Sequence, residues 1–191
     1  MSQPLLHADA LEAGYSKPVV GPVSFSLAPG EVVGLGGTNG AGKSTLLRAI
    51  TRHARIFGGH VERRSGLRVR HHRQRPEQTP ELPLTGRELL DLLGVQAQRL
   101  PEALDPMLNE PIARRSGGQY QLLQACACLC GDAELILLDE PTNNLDGNAQ
   151  QVLGSLLQPE PDRAILVVSH ERPFLEAHCT RILELEEGRL H

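Results

Sequence analysis

A glycine-rich segment contains the residue types needed to bind a triphosphate. Its members are Gly37, Thr38, Asn39, Gly40, Ala41, Gly42, Lys43 and Ser44, which fit the pattern G-x-x-x-x-G-K-[ST]. Closely spaced glycines let the backbone curl so that successive N–H groups form a nest for an anion. A lysine ammonium can neutralise the outer phosphates, and a serine hydroxyl can ligate Mg²⁺. The segment therefore predicts a site for the triphosphate of a nucleotide and its Mg²⁺ ion.

Two acidic residues follow an apolar run later in the chain. Residues 135–138 are Leu-Ile-Leu-Leu, and Asp139 and Glu140 come directly after them. An apolar run of this length is typical of a buried parallel strand, and α/β folds bind ligands beyond the carboxyl ends of such strands. Asp139 is then positioned to hold Mg²⁺, and Glu140 to take a proton from attacking water. The alternative, an acid pair that faces solvent, is disfavoured by the glycine-rich segment upstream.

Two other polar motifs precede or follow predicted elements. Ser116, Gly117, Gly118 and Gln119 stand before a helical pattern, so the serine can cap a helix whose N-terminus receives an anion. Alone, this motif is more often an ordinary glycine turn. His170 stands just past the apolar run 165–168, where an imidazole can contact the terminal phosphate.

These residues must be positioned by an α/β fold, because apolar runs bounded by turn signals alternate with helical patterns. Strands are predicted at 5–11, 22–27, 31–36, 59–63, 67–71, 134–138, 164–168 and 181–185. Helices are predicted at 43–53, 86–93, 117–129, 147–157 and 172–178. Thr45 lies in the first turn of the first predicted helix, and we expect it to bind the phosphates together with residues 37–44. We expect a single domain over residues 1–191, in which 75–130 form a small helical subdomain and 1–74 with 131–191 form the nucleotide-binding core.

Composition narrows the class of protein. The chain has 191 residues, a net charge of −4 and 40% hydrophobic residues, enough to bury a core. It has no run of 18 apolar residues, and its first residues lack the basic and apolar regions of a secretory signal. We therefore expect a cytoplasmic protein whose four cysteines stay reduced.

Two other clusters are interpreted as structural. Cys126, Cys128 and Cys130 alternate along a predicted helix, so they cannot all face one metal ion and are interpreted as packing residues. Residues 61–75 carry six arginines and two histidines, which raises nucleic-acid binding as an alternative. No aromatic residue is interleaved among them, so we favour a solvated sheet face and expect no direct contact with nucleic acid.

The order of these motifs resembles that of the ATP-binding cassette (ABC) ATPases from about residue 5 to the C-terminus. The matching sequences are GLGGTNGAGKSTLL (34–47), SGGQ (116–119), LILLDEPTNNLD (135–146) and VVSH (167–170). The resemblance implies the cassette version of the phosphate-loop nucleoside triphosphatase fold. That fold has a mixed β-sheet core, an N-terminal antiparallel β-subdomain and a small α-helical subdomain. It also implies ATP and Mg²⁺ as cofactors.

In this family two cassettes pair head to tail, and the resemblance therefore implies a homodimer or a heterodimer with another cassette. Each ATP would lie between the phosphate loop of one chain and Ser116, Gly117, Gly118 and Gln119 of the other. The segment 144–146 would contact the partner, and Tyr15 would stack on adenine. Gln74 would touch Mg²⁺ and communicate with the membrane subunits, although Gln78 is a competing candidate.

The chain also departs from the family pattern. Arg115 stands where the family usually has leucine before SGGQ, and an arginine there must reach solvent or a carboxylate. The basic residues that often follow SGGQ are absent. These two differences bear on the site between subunits rather than on nucleotide binding. Thr38 replaces the usual proline of the phosphate loop, which is a minor change.

The resemblance predicts an ATPase subunit that drives integral-membrane permease subunits from the inner face of the cell membrane. Catalysis would rest on Lys43, Glu140 and His170. The stretch 81–85 resembles the zinc- and manganese-importing cassettes. One alternative is a soluble, F-type-like ABC protein acting on ribosomes, which 142–146 and 169–175 resemble, although its members usually join two cassettes in one chain. A degenerate, non-hydrolysing cassette is the other alternative.

Overall fold

Two β-sheets organise the chain in the computed structural model, which describes residues 3–73 and 83–191. The strands are β1 Leu6–Gly14, β2 Pro18–Leu27, β3 Val32–Gly36, β4 Arg55–Arg63, β5 Val69–His72, β6 Leu135–Asp139, β7 Ala164–Val168, β8 Arg181–Glu186 and β9 Arg189–Leu190. The α-helices are α1 Lys43–Ile50, α2 Gly86–Leu92, α3 Asp105–Leu108, α4 Gly117–Leu129, α5 Gly147–Ser155 and α6 Arg172–His178. Within the described ranges, no helix is long and apolar enough to cross a membrane.

The smaller sheet is antiparallel and contains three strands in the order β2-β1-β4. Strand β1 pairs with both neighbours, and Leu6 lies opposite Leu27 of β2 and Arg63 of β4. Its residues Leu6, Ala8, Leu11 and Ala13 are fully buried and pack toward α1 and the larger sheet. The turn between β1 and β2 presents Tyr15 at the surface.

The larger sheet has the order β5-β6-β7-β3-β8-β9, parallel except for β9 at one edge. Every residue of β3, β6 and β7 is buried, as expected for strands covered on both faces. Side chains alternate between the faces: Ile136 and Leu138 pack toward α4, α5 and α6, whereas Leu135 and Leu137 pack toward α1 and the antiparallel sheet. The carboxyl ends of these central strands therefore meet between two apolar layers.

The described part of the chain between β5 and β6 is mostly helical. It contains α2, α3, α4 and three short 3₁₀ turns at Ala97–Arg99, Glu102–Leu104 and Ile112–Arg114. Arg70 on β5 connects this segment to the sheet, because its guanidinium donates to the carbonyls of Leu93 at 2.6 Å and Ala127 at 3.1 Å. Helix α4 thus has a fixed position relative to the strands.

The predicted fold class is confirmed: an α/β cassette with a mixed sheet and an antiparallel β-subdomain. Several predicted element ends are wrong. Helix α1 was predicted to reach residue 53 but ends at Ile50, because the Thr51 hydroxyl bonds to the Leu47 carbonyl and Arg52 adopts a positive φ of 62°. Strand β9 and the 3₁₀ turns were not predicted, since two- and three-residue elements carry no periodic signal. The boundaries of the helical subdomain stay a prediction.

Candidate active site

The phosphate loop, Gly37–Ser44, joins the end of β3 to the start of α1. Two of its glycines are required by the backbone. Gly37 has φ 135° and a Cβ there would overlap the Leu185 carbonyl, while Gly42 has φ 106° and a Cβ would overlap the Val20 side chain. Gly42 is also the N-cap of α1, so the positive end of the helix faces the loop. The loop therefore has the geometry of an anion-binding nest.

Lys43 lies inside this loop and is 6% exposed. Its Nζ donates to the carbonyls of Gly37 at 2.6 Å and Thr38 at 3.2 Å, and it lies 3.6 Å from Oε1 of Glu140. A cavity of about 250 Å³ opens above the loop and is lined by Val19, Thr38, Asn39, Gly40, Gly42, Lys43, Ser44, Thr45 and Glu140. The loop thus presents an ammonium group to any anion that enters this cavity.

Asp139 ends β6 beside the start of α1. The Ser44 hydroxyl donates to Oδ1 of Asp139 at 3.5 Å. Burial of the carboxyl group, together with the negative charge of Glu140, raises the pKa of Asp139 to about 6. A hydroxyl and a buried carboxylate are oxygen ligands of the kind that Mg²⁺ prefers, and a cation between them would stabilise the ionised form of Asp139. The chemistry of these donors therefore fits Mg²⁺.

Glu140 follows Asp139 and is held by groups from several elements. Its Oε2 lies 2.8 Å from Nδ1 of His170 and accepts from the His170 backbone N–H at 3.3 Å. Its other oxygen faces Lys43, so the carboxylate bridges the phosphate loop and the segment after β7. Glu140 is 5% exposed and has a positive φ of 48°. A buried carboxylate next to an anion-binding loop can accept a proton from a bound water.

The backbone around Glu140 depends on Gln121, which no motif in the sequence singles out. The side-chain amide of Gln121 donates to the carbonyl of Glu140 at 3.0 Å and to that of Pro141 at 3.1 Å. Gln121 lies on α4 and is 5% exposed. A polar residue at a buried helical position, two residues beyond SGGQ, is a signal that could have identified it.

The signature segment, Ser116–Gln119, begins α4 with a capping box. Gln119 N–H donates to the Ser116 hydroxyl at 3.2 Å, and Ser116 N–H donates to the Gln119 side chain at 3.2 Å, so the predicted serine cap is present. A Cβ on Gly118 would overlap the Asn144 carbonyl, which packs α4 against the loop after Glu140. Ser116, Gly118 and Gln119 line a cavity of about 290 Å³ with Asn144, Leu145 and Asp146, and this cavity is separate from that of the phosphate loop.

Arg115 precedes the signature segment and does not extend into solvent. Its Nη2 donates to the carbonyls of Met107 at 2.8 Å and Pro106 at 3.3 Å and lies 3.5 Å from the Glu110 carboxylate. The side chain is 9% exposed. The expected carboxylate partner is therefore present, and the carbonyls at the end of α3 add partners that the sequence did not predict.

The remaining predicted site residues have different outcomes. Tyr15 is 48% exposed, and its hydroxyl accepts from Nη1 of Arg48 at 2.7 Å, with the guanidinium carbon 5.9 Å from the ring centroid. Gln74 and Gln78 lie outside the described residues. Burial raises the pKa of the Cys128 thiol to about 11, and within the described ranges no group of three His, Cys, Asp or Glu residues could hold a metal ion. Cys126 is buried in the core, and Cys128 and Cys130 pack against it, in agreement with the packing interpretation.

Comparison with known proteins shows which family the chain resembles. A family profile described as ABC transporter matches residues 20–143. The zinc import ATP-binding protein ZnuC of Paracoccus denitrificans (strain Pd 1222) is 37% identical over an alignment of 167 residues that covers 83% of this chain and 66% of that protein. The ZnuC protein of Cereibacter sphaeroides is 35% identical over an alignment of 178 residues that covers 86% of this chain and 72% of the relative. The chain thus spans 66% of one relative and 72% of the other.

Solved structures show the same fold. The solved structure of an ATP-binding subunit of an ABC transporter superposes on this chain with a TM-score of 0.83 at 26% sequence identity. The match covers 97% of this chain and 88% of that subunit. An inward-facing structure described as a metal-chelate type ABC transporter superposes with a TM-score of 0.80 at 22% sequence identity. The match covers 99% of this chain and 82% of that chain, and it supports the fold alone. From the family profile and these relatives, the chain belongs to the ABC transporter family.

Proposed function

We propose that this chain hydrolyses MgATP and thereby drives transport through separate membrane-spanning subunits. The observation that carries the proposal is the connected set of Lys43, Glu140 and His170 at the phosphate loop, with contacts of 3.6 Å and 2.8 Å to the central carboxylate. Membership of the family and similarity to import ATP-binding proteins support the same function. The ribosome-associated alternative is not favoured, since these relatives are import proteins.

Binding would use the backbone and the charge of the phosphate loop. The N–H groups from Gly37 to Thr45 would surround the β- and γ-phosphates, and Lys43 would exchange its carbonyl contacts for phosphate oxygens. Ser44 and Asp139 would hold Mg²⁺, which supplies charge neutralisation on the phosphates. Tyr15 would offer its exposed ring to adenine, and Gln74 would add a ligand to Mg²⁺.

Hydrolysis would depend on Glu140 and His170. The Glu140 carboxylate would accept a proton from the attacking water, and the 2.8 Å contact to Nδ1 would hold it in place. His170, whose side chain is 44% exposed, would orient or stabilise the γ-phosphate. Lys43 and Glu140 both line the cavity that the triphosphate would enter. Its entry would therefore separate these two side chains. Positioning and charge neutralisation would thus supply most of the catalysis.

The second half of the site would come from another cassette, in a homodimer or a heterodimer. The supporting observation is that Ser116, Gly118 and Gln119 line a cavity separate from the phosphate loop of their own chain. The capped N-terminus of α4 would then receive the γ-phosphate bound by the partner. Asn144, Leu145 and Asp146 would contact the partner beside it.

The transported substrate would be zinc or a related divalent metal, since two relatives are zinc import ATP-binding proteins. The chain would act as one ABC ATPase domain, with 75–130 as its helical subdomain. It would sit at the inner face of the cell membrane, attached through permease subunits, with no direct contact with nucleic acid.

Phosphate release by the purified protein, measured with MgATP over a range of protein concentrations, tests this function. A rate per chain that rises with concentration is expected for a site completed by a second chain, and removal of Mg²⁺ with EDTA should abolish it. Absence of phosphate release at all concentrations, with ATP bound, would contradict hydrolysis. Transport is tested separately: vesicles containing the chain and its copurified permease should accumulate zinc with ATP but not with a nonhydrolysable analogue.

A further inference from the structure

Glu140 occupies a backbone conformation that its own sequence does not favour. A φ of 48° lies in the left-handed region, which costs a residue with a Cβ on the order of 1 kcal/mol and persists only where the surroundings hold it. Because this conformation sets the direction of the side chain, whatever holds the backbone also aims the carboxylate. The question is therefore which groups hold the Glu140 peptide units.

The two sides of Glu140 are held by different elements. Its N–H donates to the Val168 carbonyl at 2.9 Å, which continues the pairing of β6 with β7. Its carbonyl and the next one, that of Pro141, both accept from the side-chain amide of Gln121. The first contact comes from the sheet and the second from α4, the helix that begins with the signature segment.

The contact with Gln121 is buried and uses both amide hydrogens. Gln121 is 5% exposed and Pro141 is buried, so a carbonyl that lost this donor would have little access to water. The neighbouring Gln124 offers a contrast on the same helix, since its amide donates to the Tyr120 hydroxyl instead, at 3.0 Å. Removing the Gln121 amide costs two hydrogen bonds and removing the Gln124 amide costs one, but only Gln121 contacts the backbone of Glu140.

From this geometry we propose that Gln121 is a positioning residue for hydrolysis, which acts by holding the backbone of Glu140 so that its carboxylate faces the attacking water. The inference rests on the proposed role of Glu140. It also connects the start of α4 to Glu140. The segment that would meet the partner's nucleotide, Ser116–Gln119, begins the helix, and Gln121 follows about one turn later. A shift of α4 on binding would thus move the carbonyls that aim the base.

The test compares Gln121→Met with Gln124→Met, the matched control on the same helix. Gln121→Met should lower kcat by about 10-fold to 100-fold, because a misplaced reacting group loses rate at this scale. The KM for ATP and the affinity for a nonhydrolysable analogue should stay within twofold, and Gln124→Met should retain kcat within twofold. Gln121→Glu keeps the shape of the side chain but removes the amide donors, so it should behave like Gln121→Met. It is a control for any effect of methionine on packing.

A double-mutant comparison separates positioning from general loss of structure. In a Glu140→Gln background, single-turnover rates should change less than twofold when Gln121→Met is added, since there is no base left to position. An equal fold-loss in both backgrounds would overturn the inference, as would a normal kcat in Gln121→Met and Gln121→Glu. If Glu140→Gln itself retains turnover, the proposed function of Glu140 fails; if only the Gln121 variants retain it, the present inference fails alone.

Discussion

The phosphate loop and the signature segment differ in how far one chain completes them. The phosphate loop has its cation, its acids and its histidine within the same chain. Lys43 and His170 both contact Glu140, and Asp139 accepts from Ser44. The signature segment has a well-formed helix cap, but its cavity is lined by Asn144, Leu145 and Asp146, and none of the described residues that line it is a lysine or an arginine. Under the proposed function, the first region would bind and hydrolyse the nucleotide, and the second would receive a nucleotide bound by a partner chain. The contrast therefore supports the proposal of a site shared between two chains.

The largest effect should come from removing the base on the phosphate-loop side. Glu140→Gln should keep ATP binding and lower turnover by about 10²-fold to 10⁴-fold, because a neutral amide cannot accept the proton. Phosphate release under saturating MgATP measures this. His170→Gln should be measured alongside it, because this variant removes the ring that contacts the same carboxylate at 2.8 Å. Near-normal turnover in Glu140→Gln would exclude the role assigned to that residue.

Lys43→Ala should instead weaken binding itself. The Nζ group is the cation that lies within the loop, with carbonyl contacts at 2.6 Å and 3.2 Å, and its loss should lower ATP affinity by about 10-fold to 100-fold, the range for a charged hydrogen bond. Calorimetric titration with a nonhydrolysable analogue and Mg²⁺ gives the affinity directly. Unchanged affinity would mean that the loop amides bind the triphosphate without the lysine.

Two adjacent glycines of the signature segment allow a sharper comparison. Gly118→Ala should lower the free energy of unfolding by about 1–3 kcal/mol, because its Cβ would overlap the Asn144 carbonyl and force α4 away from the loop after Glu140. Gly117→Ala is the matched control, since a Cβ there meets nothing within 4 Å and alanine favours the helix. Thermal or urea unfolding of the two variants measures the difference. Equal stability would show that α4 can shift without cost.

How much the sequence predicted differs between the same two regions. The position of the phosphate loop between β3 and α1 was predicted, because the spacing of its glycines, lysine and serine is a local pattern. The binding roles of its residues stay a prediction. The serine cap of α4 was predicted for the same reason. Gln121 was missed because its partners, Glu140 and Pro141, are about twenty residues away and depend on how α4 packs on the sheet. The partners of Arg115 were predicted in part, since a carboxylate could be expected but the carbonyls of α3 depend on a short helix without a periodic signal.

The smallest effect should come from Tyr15, at the outer edge of the phosphate-loop side. If the ring stacks on adenine, Tyr15→Phe should keep ATP affinity within twofold, although it loses the 2.7 Å contact with Arg48. Tyr15→Leu should weaken binding by about 3-fold to 10-fold, because an aromatic pair contributes about 0.5–1.5 kcal/mol beyond the area it buries. Comparing ATP with inorganic triphosphate isolates the base: the leucine variant should bind triphosphate as well as the unmodified protein does. An equal loss of affinity for ATP and for triphosphate would show that Tyr15 acts through Arg48 and the phosphate loop rather than through contact with adenine.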